Sequence, residues 1–155
     1  MASAIRKAPK PSLGEDKTWP AFEPMLTGGI GDHLIGIAAS RQMEVLSGLW
    51  LVAGDIHRSH TISQDLGSAE GSFLHGIMHR REGDFGNAKY WFRRVGDHPV
   101  FEAIAQQSGG YYQSPQGFVD QCQSAVASGD AGAIGQCIDS QWIEWQALMN
   151  FITEQ

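Results

Sequence analysis

Three Gly-Asp pairs, Gly54-Asp55, Gly83-Asp84 and Gly129-Asp130, each stand between two stretches that carry apolar residues at helical spacing. Glycine takes the left-handed backbone that ends a helix, and aspartate caps the next helix through its carboxylate. Such a pair stops one helix and starts another within two residues, so each predicts a tight corner between antiparallel helices. A chain punctuated in this way is expected to be all-α and built from helix-turn-helix units.

The apolar pattern fills in the elements between these corners. Ile37, Val45, Leu46, Leu49 and Trp50 predict a helix from about His33 to Ala53, and the pattern resumes over Ile56–Leu66 before a turn at Gly67–Gly71. Phe73–Glu82 and Phe85–Val95 follow, the latter closed by Gly96 with Pro99 just beyond. A weaker helix is expected near Val100–Gln106, then a loop over Gly109–Pro115. Two more helices complete the chain. Phe118, Cys122 and Val126 share one face of the first, while Ile134, Ile138, Trp142, Trp145, Met149 and Ile152 form a stripe on the second. Residues 1–30, interrupted by Pro9, Pro11, Pro20 and Pro24, read as an irregular lead-in whose Trp19, Phe22 and Met25 dock on the body. Residues 31–155 read as a single helical domain.

Composition narrows the function classes. The 155 residues suit one domain, and 42 % hydrophobic content supplies a core. A formal net charge of −6 argues against general affinity for nucleic acid or anionic membrane surfaces. No stretch approaches the roughly 20 apolar residues of a membrane span. The first residues lack the apolar core of a secretory signal, so a cytoplasmic location is expected. Cys122 and Cys137 sit at apolar positions of helix faces and are expected to be buried thiols. There is no nucleophile elbow or CxxC pair, and Gly28-Gly29-Ile30-Gly31 lacks the Lys-Ser/Thr of a phosphate-binding loop.

Within Gly76–Pro99, Gly76 stands where two helices would approach closely, Gly83 at the turn, Phe85 after it, Ala88 at the crossing, and Phe92 and Val95 in the second helix. These positions resemble a tetratricopeptide helix pair. Ser47, Trp50, Gly54, Ile56 and Ser59 recur at an offset of 29 residues as a degenerate earlier unit. The resemblance implies tetratricopeptide-like packing without a regular array, and it favours a binding protein.

The charge and the histidines are unevenly placed. Five of the eleven Lys and Arg fall between Arg80 and Arg94, and five of the six His between His57 and His98. Here the chain reads SHTISQ from Ser59, then GSFLHGIMHRREGDFGNAKYWFRRVGDHPVF from Gly71. This block resembles an uncharacterised microbial protein family that carries SHTISQ followed by GSF-HGIMHRRE-DF-NAKYWFRRVG-HPVF. The resemblance covers roughly residues 45–101 and implies a shared fold and site; no reaction transfers with it.

Read as chemistry, His75 and His79 lie one helical turn apart, with Glu82 on nearly the same face. Two such imidazoles can both reach a divalent metal such as zinc, with Glu82, His57, His60 or His98 completing the shell. The ordinary alternative is a pair of satisfied polar residues in a helix interface. In the tetratricopeptide register both histidines fall inward, so burial demands partners, for which His60, Ser63 and Gln64 are candidates. Arg80 and Arg81 are expected to border a groove and, with Lys89, Arg93 and Arg94, to bind an anionic group. Otherwise Arg81, Lys89 and Arg94 pair with Glu82, Asp84 and Asp97 on a solvated surface.

Three functions follow as expectations. The first is a helical-repeat-like binding protein that recognises an anionic small molecule or a peptide carboxylate through His60, His75, His79, Arg80, Arg81 and Glu82. The second is a metal-dependent enzyme of hydrolase or lyase type using His75 and His79. The third is a structural interaction module for a protein partner or a second copy.

Overall fold

The computed structural model describes residues 9–14, 16, 19 and 34–154. Among them are seven α-helices and no strand: α1 (Gln42–Ala53), α2 (Ile56–Ser63), α3 (Ala69–Glu82), α4 (Phe85–Val95), α5 (Val100–Gln107), α6 (Pro115–Ser128) and α7 (Ala131–Thr153). A short 3-10 turn, Ala39–Arg41, leads into α1. No helix among the described residues is long and apolar enough to cross a membrane.

The Gly-Asp corners act as their chemistry requires. Gly83 adopts φ +86°, where its N–H reaches back to carbonyls of the last turn of α3. Asp84 then accepts the Asn87 N–H at 3.0 Å to open α4. The same device joins α1 to α2, where Asp55 accepts from Arg58, and α6 to α7, where Asp130 accepts from Ala133. In each hairpin the two helices pack on one another, and the hairpins meet through α2 on α3, α4 on α6 and α1 on α7.

Several boundaries differ from expectation. The first helix begins at Gln42, because Gly36 at φ +90° and the Ile37-to-Leu34 hydrogen bond make a turn of the preceding residues. The second ends at Ser63, where Asp65 and Leu66 close shorter bonds to Ile62 and Ser63. The third starts earlier, at Ala69, since the Ser68 hydroxyl accepts the Gly71 N–H at 3.0 Å. On α6 the inward face continues from Phe118 and Cys122 to Ala125, so Val126 turns out to solvent. Cys122 and Cys137 are buried free thiols, as expected.

The element that organises the molecule is α3. Every residue from Glu70 to Arg81 is buried, so α3 has no solvent face although its sequence carries two His and two Arg. The close approach expected at Gly76 is present: a β-carbon there would lie 3.0 Å from the Phe92 ring of α4. Phe73 meets the same ring edge-on, with centroids 5.4 Å apart. Trp19 packs against the core and its N–H donates to the Ala53 carbonyl at 2.8 Å, whereas Phe22 and Met25 lie outside the described residues.

Candidate functional site

Because α3 is buried all round, each of its polar side chains needs a partner from a different neighbour. The helix therefore sorts them by direction. His75 and His79 turn towards α2 and α4, Arg80 towards α7, Arg81 towards α1 and the N-terminal segment, and Glu70 towards Arg41 and His98.

His60, His75 and His79 converge, with one ligand nitrogen from each lying within 4.8 Å of the others. The outward nitrogens of the two buried rings are committed. His75 Nδ1 lies 3.1 Å from the Ser63 hydroxyl. His79 Nδ1 lies 3.1 Å from Glu82 Oε2, an acceptor when ionised, and so carries the proton. His79 therefore has its lone pair on Nε2, while His75, whose Nδ1 faces a hydroxyl that can donate or accept, can carry its proton on Nδ1 or on Nε2. These two Nε2 atoms face each other at 2.9 Å. A neutral His75 can meet this contact by donating its Nε2–H to the His79 lone pair, and a cation held between the two nitrogens is the other occupant the geometry accepts. Burial favours the neutral ring at His75: desolvation, followed by the neighbouring His79 and His60, lowers its pKa to about 4. Burial likewise lowers that of His79, against the opposing pull of Glu82.

The surroundings hold these rings in place. His60, half-buried on α2, meets His75 and His79 edge-on at 4.8 and 5.2 Å between centroids. Trp91 of α4 lies over His75 at 4.1 Å, and the Arg94 guanidinium lies over Trp91. Asn87, one turn before Trp91, places its amide nitrogen 3.1 Å from His79 Nε2.

The other expected site residues are elsewhere or in other roles. Glu82 orients His79 through Nδ1. His98 lies in a separate buried group with Glu70 and the Phe73, Phe101 and Phe151 rings. His57 is exposed on α2, and Gln64 bonds to the Thr61 carbonyl instead of the histidines. Arg80 and Arg81, expected to border an open groove, are both buried, and Arg81 lines a small cavity with Leu51, Ile77 and Trp145. Arg80 makes a forked pair with Glu144 and donates to Gln141, while Arg81 pairs with Asp16 at 2.7 Å and donates to the Leu51 and Gly14 carbonyls. A guanidinium forced inward by a fully buried helix must bring its counter-ion with it. Nor does the surface pairing hold as expected, since Lys89 reaches Asp120 and Arg94 lies on the Tyr90 and Trp91 rings.

Sequence reasoning missed Asn87 and Trp91 as neighbours of the histidines. Both stand on one face of α4, four residues apart, and that spacing was the available signal. It also missed Glu144, a carboxylate inside the apolar stripe of α7.

No family model, curated protein or solved structure matches the chain.

Proposed function

We propose that this protein binds one divalent transition-metal ion of the zinc class through His60, His75 and His79, and uses it in metal-dependent hydrolytic chemistry. The observation that carries the reading is the pair of Nε2 atoms of His75 and His79, 2.9 Å apart with both outer nitrogens already hydrogen-bonded. Such outer bonds fix ring orientation and raise ligand basicity, and Ser63 and Glu82 are placed to make them. With Zn–N bonds of about 2.0–2.1 Å, two ligands of a tetrahedral site stand about 3.3 Å apart, so the rings open by only a few tenths of an ångström to admit an ion.

Three protein ligands leave a position for water or for an anionic group, which is the arrangement of catalytic rather than structural zinc. An ion held by His60, His75 and His79 would supply Lewis acidity, lowering the pKa of a water at the open position towards about 7. It also supplies the positive charge that the expected anion site lacked once Arg80 and Arg81 were engaged elsewhere. An anionic small molecule or peptide carboxylate is thus read as a ligand of the ion. The helix pairs are read as tetratricopeptide-like, supported by the close seat of Gly76 under Phe92.

Elemental analysis of untagged protein tests the site. Wild type is expected to carry close to one equivalent of metal, and a His75→Ala, His79→Ala double variant close to none. Metal-free wild type that also fails to take up Zn2+ or Co2+ on titration would end the proposal. Hydrolysis of activated ester and phosphoester substrates by loaded wild type, absent from the double variant, tests the reaction class.

A further inference from the structure

Among the described residues, Asn87 brings its side-chain nitrogen to within 3.1 Å of His79 Nε2, one of the converging nitrogens. Its backbone is fixed, because its N–H is held by the Asp84 carboxylate at the start of α4. Asn87 is half-buried. Trp91, on the same face of α4, covers His75, so α4 presents a ring to one histidine and an amide to the other.

In the metal-free arrangement the amide N–H donates to the His79 Nε2 lone pair. Once that lone pair binds a cation, an N–H pointed at the same place is repelled, and a half-turn of the amide puts Oδ1 there instead. An amide oxygen is a hard, uncharged donor, and towards a zinc-class ion it is weaker than imidazole or carboxylate. Resting on the reading of the three histidines as a metal site, we propose that Asn87 supplies the fourth donor through its side-chain oxygen, and that an incoming anionic ligand displaces it. The site then has three nitrogens that stay and one oxygen that yields. The amide shields the ion from adventitious ligands and gives way to a charged one.

The experiment compares wild type, Asn87→Ala and Asn87→Asp, each folded by circular dichroism, in Co2+ titrations followed by visible absorption and then by addition of azide. Loss of the oxygen in Asn87→Ala is expected to weaken Co2+ binding about tenfold, alter the absorption spectrum and strengthen azide binding. Asn87→Asp is expected to tighten Co2+ binding and weaken azide, since a charged oxygen is harder to displace. If all three proteins bind Co2+ with one affinity and one spectrum, Asn87 is not a ligand although the histidine site stands. If wild type binds no Co2+ at all, the histidine reading itself fails, and this inference fails with it.

Discussion

At the scale of single residues, the chemistry is set by how burial treats His75. Its pKa, lowered from about 6.5 to about 4 chiefly by desolvation, ties stability to pH. The unfolded chain takes up a proton between those values and the folded chain does not, so this contribution is fully present above about pH 6.5. It is lost as pH falls towards 4. His79 and His98 act in the same direction, since burial lowers both. A tenfold change in proton affinity is worth about 1.36 kcal/mol, so metal-free protein is expected to lose on the order of 3 kcal/mol from His75 between about pH 7 and pH 4. Urea denaturation across that range measures it, and His75→Gln should flatten the slope. An unchanged slope in that variant would mean His75 is not the group responsible.

At the scale of helices, the corners and close contacts carry the geometry. The α3–α4 crossing depends on Gly76, because Phe92 is buried beneath it and has nowhere to retreat. Alanine improves helix propensity by about 1 kcal/mol but overpacks the crossing at a cost of 1–3 kcal/mol, roughly. Gly76→Ala is expected to destabilise by about 1 kcal/mol net, read from the shift in urea midpoint. A more stable variant would show that the two helices can move apart freely. The same crossing brings Asn87 and Trp91 against His79 and His75, so a shift there should also weaken metal uptake. Each Gly-Asp corner was legible in sequence, because stop and start signals are local. Helix starts at Gln42 and Ala69 were not, because a left-handed Gly36 and the Ser68 cap decided them against the apolar pattern.

For the whole molecule, the decisive fact is that α3 lies at the centre. Arg80 crosses to α7 and joins the hairpins through Glu144, both side chains being at most 1 % exposed. Such a pair is worth little against an apolar replacement, yet removal of one partner strands a buried charge and typically costs about 3–5 kcal/mol. Arg80→Ala and Glu144→Ala are each expected to fall in that range. A double variant, Arg80→Met with Glu144→Leu, should recover much of the loss in the same denaturation assay. Independent additive losses would show that the two side chains do not act as a pair. Sequence alone determined the helical class, the corners and the i, i+4 placement of His75 and His79, because all of these depend on neighbours within a few residues. It also named His60 and Ser63 as candidate partners. Only the tertiary structure decided which candidates converge and which way each arginine turns. A charged helix reads as surface until its neighbours are known, and here Glu144, Asp16 and Glu70, supplied from outside or from its first turn, let α3 be buried on every side.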